Sequence, residues 1–262
     1  MAAKEIFFYI LFFLFGLFIG SFLNLLIYKI PRKLPIFSTV KTCPECSTTI
    51  PFYTKVPLGT LGLKGGRCRS CKNKIPFLSY QNAVVELLAA SLFLANYIFF
   101  GFRLYGLYLI SGIILCSILI IISFIDLKFK IIPNKIVLPF TLVGLSISTV
   151  IIVLENPRRW WLPLAYCAGA FIFMLIIHLI YPKGMGLGDV KLSLMLGAFL
   201  VKNVIVGLFL GFLIGSISGL ILIISKKKKL SQEIPFGPFI SIGSIIALFI
   251  GGYILKWYVG FI

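Results

Sequence analysis

Long apolar segments recur along the whole chain, and they leave one broad class of fold open. Seven of them approach or exceed the roughly 20 residues that a helix needs to cross a bilayer. These segments lie near residues 6–28, 82–100, 104–125, 136–154, 161–181, 204–225 and 238–256. A shorter segment near 190–201 is marginal as a full crossing, and counting it gives about eight transmembrane helices. We therefore predict an all-α, polytopic integral membrane protein.

The composition supports this class and excludes an ordinary soluble domain. Hydrophobic residues make up 60% of the chain and charged residues only 12%, whereas a soluble domain is roughly half apolar and a quarter charged. The first apolar run is too long for a signal-peptide core and has no small-residue cleavage site, so we expect it to be retained. The sequence then divides into a first transmembrane helix (1–28), a hydrophilic loop (29–80) and a membrane domain (81–262).

The charge distribution predicts how the spans are oriented. Residues 29–80 carry many Lys and Arg against a single acid, and loops rich in Lys and Arg stay on the cytoplasmic side of a membrane. Alternation of the spans places both termini outside and three further basic turns on the cytoplasmic side, near 126–135, 182–190 and 226–237. The outside turns hold few charges, apart from Arg158 and Arg159, which depart from this rule.

The net charge of +18 follows from the same asymmetry. It therefore indicates contact with membrane lipid, and we predict no nucleic-acid partner. The run Lys226–Lys229 is interpreted as an orientation anchor, with binding to anionic lipid as the alternative. These features together predict a multi-pass protein of the cell membrane, either an inner or a plasma membrane.

Four cysteines in the hydrophilic loop form two CxxC pairs. Cys43 and Cys46 lie in CPEC, and Cys68 and Cys71 lie in CRSC about 20 residues later, a spacing typical of zinc sites. A cytoplasmic loop keeps its thiols reduced, which disfavours disulfides as the alternative. Because all four tetrahedral ligands would come from the protein, we predict a structural zinc ion that folds a small loop.

Only two aspartates occur in the chain, and each lies at the edge of a predicted span. Asp126 ends one segment in FIDLKFKIIPN, and Asp189 begins another in MGLGDVKL. On the topology above, both carboxyl groups lie at the cytoplasmic boundary of the membrane. Ionisable residues in membrane segments are functional candidates, since burial of a charge costs about 2.5–3.5 kcal/mol at the midplane. We predict a catalytic pair that shares one proton, as in an aspartic protease.

The residues around Asp189 are expected to shape this site. Gly184, Gly186 and Gly188 would allow backbone conformations that other residues avoid and would let a substrate strand approach the main chain. Lys191 completes the predicted set of site-shaping residues.

Two other interpretations of the aspartates stay open at this point. Asp189 could be a helix N-cap, although a carboxylate at the C-terminal end of a helix, as predicted for Asp126, is unfavourable to the helix dipole. The pair could instead form the proton relay of a proton-coupled membrane transporter. Transporters often consist of related halves, and the sequence has no internal repeat of that kind.

Several motifs make the chain similar to a known family. They are GSFLNLLIYKIPR (20–32), CPEC, GGRCRSC, ELLAA (86–90), IDLKFKIIPN (125–134), GMGLGDVKL (184–192) and IPFGPFISIG (234–243). With these motifs the chain resembles, nearly end to end, the type IV prepilin peptidases. That family comprises bifunctional leader peptidases and N-methyltransferases, which are membrane aspartic proteases of the GxGD type.

The resemblance implies that Asp126 and Asp189 are the catalytic pair of an aspartic endopeptidase. The substrates would be prepilins and pseudopilins, cleaved at the cytoplasmic face by the domain at 81–262. This would serve type IV pilus assembly or protein secretion. A non-enzymatic scaffold that recruits such precursors through the basic loop is a third interpretation.

The resemblance also implies N-methylation of the new N-terminal residue with S-adenosylmethionine, an activity associated with the zinc loop. Gly66 and Glu86 match family positions and are candidates for that second activity, although Glu86 could instead pair with a loop lysine. The sequence departs from the family pattern in YQNAVVELL and in LGTLGLKGG, which lacks the usual Ser-Trp. Both departures lie on the methyltransferase side.

Overall fold

The computed structural model describes residues 2–35, 46, 70–71, 80–182, 184–225 and 235–260. Within these ranges the chain forms helices and connecting turns without any β-strand. The predicted all-α, polytopic membrane fold is confirmed. Seven of the described helical segments are long and apolar enough to cross a membrane.

Eight α-helices occur in the described residues. They are α1 (Ala2–Lys29), α2 (Tyr80–Phe100), α3 (Leu107–Phe129), α4 (Asn134–Glu155), α5 (Leu162–Ile180), α6 (Leu187–Leu200), α7 (Val204–Ile224) and α8 (Gly237–Val259). Short 3₁₀ turns at Arg103–Gly106, Pro157–Arg159 and Val201–Asn203 precede α3, α5 and α7.

The first compact unit, Met1–Gly101, contains α1 and α2. The two helices are antiparallel and very close, because a Cβ atom at Gly16 would lie 2.5 Å from the Cα of Ala90 and one at Gly20 would lie 2.6 Å from the Cα of Glu86. Small residues permit such approach between helices in membranes. By packing, α2 therefore belongs with α1, whereas the boundary that we drew from the sequence at residue 80 groups it with the later spans.

The second unit, Phe102–Ile262, contains α3 to α8. Its helices α7 and α8 are antiparallel along a line of glycines. A Cβ at Gly207 would lie 3.3 Å from the Cα of Ser244, and one at Gly211 would lie 2.9 Å from the Cα of Ile240. Helices α5 and α6 are also antiparallel and close. A Cβ at Gly197 would lie 2.7 Å from the Cα of Cys167, and the hydroxyl of Ser193 donates to the carbonyl oxygen of Ala170.

Helix α6 is the short segment that the sequence left marginal. Its 14 residues extend about 21 Å, less than the roughly 30 Å of a bilayer core. The chain reverses direction in the 3₁₀ turn after α6, and this places Leu200 beside Gly207 near the start of α7. By length and hydropathy alone, α6 and α7 count as one continuous candidate span, but their packing makes them two helices of opposite direction.

These directions define two ends of the second unit. At the first, which we name the aspartate end, α3 and α7 finish and α4, α6 and α8 begin. At the other, which we name the opposite end, α4 finishes and α5 and α7 begin. Both aspartates of the chain lie at the aspartate end, as the next section describes.

Candidate active site

Asp126 lies in the last turn of α3 and is held by the start of α8. Its side chain is only 5% exposed, and its Oδ2 accepts a hydrogen bond of 3.0 Å from the backbone N–H of Gly237. The two residues are 111 positions apart in sequence. There is no room for a side chain between them, because a Cβ at Gly237 would lie 2.7 Å from that oxygen.

Two helix ends act on the Asp126 carboxyl group in opposite senses. The C-terminal end of α3 disfavours a negative charge, and the N-terminal end of α8 favours it. Because the α8 end also supplies a hydrogen-bond donor to the carboxyl oxygen, it offsets the unfavourable end. Helix α3 itself stops just beyond, where Lys130 takes a left-handed conformation with φ of 52°.

Asp189 lies in the first turn of α6, and it is not the N-cap residue. The N-cap is Gly186, so the interpretation of Asp189 as the N-cap residue is wrong. The side chain is 7% exposed, and its Oδ1 is buried without a hydrogen-bond partner among the described residues. Its Oδ2 faces Gly186 instead, whose backbone N–H is within reach, as in the reciprocal half of a capping box.

Both carboxyl groups lie at the aspartate end of the second unit. They are close enough for the charge of Asp126 to act on Asp189. Like charges at short range resist joint ionisation, and such a pair titrates as a unit. Such a pair can keep one carboxyl group protonated while the other is ionised, which is the state that general acid–base hydrolysis requires.

The turn that follows Asp126 packs onto the beginning of α6. A Cβ at Gly188 would lie 2.9 Å from the Cβ of Ile132, and the ammonium of Lys191 donates to the Oδ1 of Asn134 at 3.2 Å. Pro133 is the N-cap residue of α4, so the chain between α3 and α4 is not helical here. These contacts fix the segment carrying Asp126 relative to the segment carrying Asp189.

The predicted glycines act by their lack of a side chain and not by their conformation. None of Gly184, Gly186 and Gly188 has a positive φ, so the expectation of unusual backbone conformations was wrong. Gly188 is required by its close approach to Ile132, and a Cβ at Gly184 would overlap the ring of Tyr181. A Cβ at Gly186 would make only ordinary contact with Asp189, 3.6 Å from its Oδ2, so packing does not require glycine there.

Sequence reasoning missed two contributors to this site. Gly237 lies in IPFGPFISIG and Asn134 in IDLKFKIIPN, but neither motif indicates a contact with the residues around the aspartates. A Gly-Pro pair at the start of a helix is a signal that could have drawn attention to Gly237, because Gly237 begins α8 with an N–H free of any intrahelical partner and Pro238 follows it in the first turn. His178, which we did not predict as a site residue, ties the end of α5 to the carbonyl oxygen of Met185 at 2.8 Å.

Glu86 lies in the first unit and is buried between α1 and α2. It is 3% exposed, and its Oε1 accepts a hydrogen bond of 2.7 Å from the hydroxyl of Ser21. One turn away, the side-chain amide of Asn24 donates to the carbonyl oxygen of Asn82 at 3.0 Å. These contacts form a line of polar groups between two apolar helices. Gly66, the other candidate for methyl transfer, lies outside the described residues.

Two of the four predicted zinc ligands lie among the described residues. Cys46 and Cys71 are partly exposed, and Cys43 and Cys68 lie outside the described residues. Among the described ranges there is no group of three or more metal-binding side chains. The zinc site therefore stays a prediction, supported by the donor chemistry of the two CxxC pairs.

The comparisons with known proteins follow the same division into two units. Residues 14–100 match the family model described as "Bacterial Peptidase A24 N-terminal domain", and residues 113–224 match the one described as "Type IV leader peptidase family". A prepilin leader peptidase/N-methyltransferase of Bacillus subtilis is 34% identical over 248 residues, which cover 94% of this chain and 96% of the relative. The chain belongs to the type IV leader peptidase family.

Other members of the type IV leader peptidase family show the same extent of similarity. The prepilin leader peptidase/N-methyltransferase of Legionella pneumophila is 32% identical over 286 residues, covering 97% of this chain and 96% of the relative. That of Aeromonas salmonicida is 32% identical over 282 residues, covering 94% and 92%. No solved structure gives a significant match. Family membership makes the chain an enzyme, a membrane peptidase, and nothing in these matches supports a transporter.

Proposed function

We propose that this chain removes the leader peptide of type IV prepilins and pseudopilins, with Asp126 and Asp189 as its catalytic pair. The observation that carries the proposal is the meeting of two buried carboxyl groups at one end of the second unit, one of them held by the first turn of α8. The names of the relatives supply the substrate class.

The two carboxyl groups are placed in different surroundings, and we assign their roles accordingly. The N–H of Gly237 and the positive end of α8 stabilise a negative charge on Asp126. Asp189 has one buried oxygen without a donor among the described residues, and a second negative charge beside Asp126 is unfavourable. Asp126 is therefore the ionised base, and Asp189 is the protonated acid.

The reaction follows from these roles. Asp126 takes a proton from water while the water oxygen bonds to the carbonyl carbon of the scissile peptide bond, and Asp189 gives its proton to the carbonyl oxygen. A tetrahedral diol results. Its carbon–nitrogen bond then breaks as Asp126 passes its proton to the leaving nitrogen, and a diol hydroxyl returns a proton to Asp189 as the new carboxyl group forms. Both aspartates end in their starting states.

Cleavage is proposed to occur at the cytoplasmic face of the cell membrane. The basic loop at 29–80 and the basic turns beside the aspartates support this orientation through the positive-inside rule. Cys43, Cys46, Cys68 and Cys71 would hold zinc, which would supply a structural crosslink for the loop and no catalytic position.

The second proposed activity is N-methylation of the new N-terminal residue with S-adenosylmethionine. The resemblance of residues 14–100 to the family's N-terminal domain supports it, and so does the buried carboxylate of Glu86 in that unit, since a sulfonium carries a positive charge. Gly66 is the other candidate residue in this part of the chain. The two departures from the family pattern, YQNAVVELL and LGTLGLKGG, lie in the same region. Methylation must therefore be measured separately from cleavage.

One experiment tests both activities. A prepilin is incubated with the purified full chain in detergent, with and without S-adenosylmethionine, and the products are weighed by mass spectrometry. We expect cleavage in both samples and an added methyl group only with the cofactor. Asp126→Asn and Asp189→Asn should abolish cleavage, whereas Glu155→Gln, an acid-to-amide change at the opposite end, should retain it. Cleavage by either aspartate variant would favour a scaffold and refute the proposal.

A further inference from the structure

An apolar groove runs between α5 and α7 on the side of the second unit. Its volume is about 660 Å³, and its walls are almost entirely hydrophobic. Trp161, just before α5, lines it together with Tyr166 and Phe173 of α5. Val204, Phe209 and Phe212 line it from α7. Gly169 faces it from α5 and leaves it wide at that level, since no atom lies within 4 Å of a Cβ placed there.

The groove extends over about one leaflet of a bilayer. It begins at Trp161, at the opposite end of the unit from the aspartates, and reaches Phe173 on the same helix. Twelve residues of helix between these positions correspond to about 18 Å, slightly more than half of a bilayer core of roughly 30 Å. There the rings of Phe173 and Phe212 meet edge to face, with centroids 6.5 Å apart, and close the groove.

Cationic side chains lie in the two turns that lead into the groove at the opposite end of the unit. Arg158 and Arg159 are exposed in the 3₁₀ turn just before Trp161, and Lys202 is exposed in the turn just before Val204. The side chain of Asn156 caps the arginine turn by accepting from the N–H of Arg158 at 3.2 Å. These arginines are the ones that the orientation rule leaves unexplained, because they lie at the end opposite the other basic turns.

The nearest acid at this end is already engaged. Glu155, the last residue of α4, accepts a hydrogen bond of 2.5 Å from the hydroxyl of Tyr108. Three cations, Arg158, Arg159 and Lys202, still outnumber this carboxylate, so a net positive charge faces an external anion. Trp160 and Trp161 lie exposed at the same end, as aromatic residues do at the membrane surface.

We propose that this groove is a binding site for an anionic phospholipid of the leaflet opposite the aspartates. One acyl chain lies in the groove as far as Phe173, and the phosphate meets Arg158, Arg159 and Lys202. Basic pockets between transmembrane helices recognise anionic head groups in this way. The proposal does not depend on the peptidase assignment.

The alternative occupant, the apolar helix of a substrate, fits the groove less well. A membrane-crossing helix would have to pass Phe173 and Phe212, whose rings bridge α5 and α7 with centroids 6.5 Å apart. An acyl chain is thinner and needs to go no further than the middle of the bilayer.

Quenching of a single tryptophan tests the site. Trp160→Phe and Trp257→Phe leave Trp161 as the one remaining tryptophan of the three in the chain. This variant of the full chain is reconstituted in phosphatidylcholine vesicles that contain either phosphatidylglycerol or phosphatidylcholine with brominated acyl chains, at equal mole fraction. We expect phosphatidylglycerol to associate about tenfold more strongly near Trp161, from the attraction of several cations for an anionic head group.

Two sets of variants separate the contributions of charge and groove. Arg158→Gln combined with Arg159→Gln should reduce the preference for phosphatidylglycerol to within about twofold. Gly169→Phe should fill the groove and weaken quenching by both lipids. Gly252→Phe is the matched control, because a Cβ at Gly252 in α8 also has no atom within 4 Å and that residue does not line the groove.

Several outcomes would overturn the proposal. Equal quenching by the two brominated lipids would show that the head group is not recognised. Unchanged quenching in the Gly169→Phe variant would show that the acyl chain does not lie in the groove. Displacement of the brominated lipid by a peptide with the apolar helix of a prepilin would assign the groove to substrate instead. Native mass spectrometry of the unmutated protein gives an independent readout, with retention of one phosphatidylglycerol expected and a bare protein contradicting the site.

Discussion

A single methyl group at Gly237 should strongly impair cleavage. In Gly237→Ala the new Cβ would lie 2.7 Å from the Oδ2 of Asp126 and 3.2 Å from its Cγ. Both separations are too short, so either the carboxyl group rotates away or the first turn of α8 moves. In both cases the hydrogen bond from the Gly237 N–H to Asp126 is lost or lengthened.

The size of the effect follows from that bond. A hydrogen bond to a charged group contributes about 1.5–3 kcal/mol, and about 1.4 kcal/mol corresponds to a factor of ten in rate. We therefore expect kcat/KM for leader cleavage to fall about 10- to 150-fold. Gly252→Ala is the control, since it makes the same change in the same helix where no atom lies within 4 Å of the new Cβ. It should leave cleavage unchanged.

A stability cycle locates the origin of the effect. Thermal unfolding is measured for Gly237→Ala alone and in an Asp126→Ala background, where the carboxyl group no longer occupies the space beside Gly237. The destabilisation by Gly237→Ala should largely disappear in that background, because residues in direct contact are not additive. Cleavage by Gly237→Ala within twofold of the unmutated enzyme, or an equal destabilisation in both backgrounds, would refute the reasoning.

Three further predictions concern the other parts of the chain. Cys43→Ser or zinc chelation should lower the thermal unfolding temperature more than it lowers cleavage at equal folded protein, since a four-ligand site is structural; unchanged stability with abolished cleavage would show that assignment wrong. Glu86→Gln keeps the size of the side chain and an acceptor for Ser21, and it should reduce methylation in the mass-spectrometric assay while cleavage persists. Lys191→Met should lower kcat/KM only a few-fold, because one partly exposed hydrogen bond is lost, and adding Asn134→Ala should cause little further loss.

The positions of the helices could be predicted from the sequence because hydropathy is a local property. Each apolar run of about 20 residues became a helix in the structure, and the marginal segment near 190–201 became the short helix α6. The meeting of Asp126 and Asp189 was also accessible, since alternating spans return both residues to one side of the membrane. That prediction required only the side of the membrane on which each aspartate lies, and it did not specify the contacts of either carboxyl group.

The support of the site could not be predicted in this way. The donor to Asp126 is a backbone N–H that lies 111 residues away, and no local pattern encodes the packing of α3 against α8. The glycines near Asp189 show the same limit. The repeated glycines suggested backbone conformations that other residues avoid. Gly188 is required instead because Ile132, in the turn after α3, comes close to it. The requirement for glycine at such a position arises from tertiary contacts.

The glycine seam between α7 and α8 has a mechanical consequence. Where Gly207 and Gly211 face Gly243, main chain lies directly on main chain, with no side chains to yield between them. Because the two main chains touch there, we expect a displacement of α7 at this contact to move α8 as well, and the first turn of α8 holds the Asp126 carboxyl group. A shift in the packing of α7 would in this way reach the proposed catalytic pair without any direct contact between α7 and an aspartate.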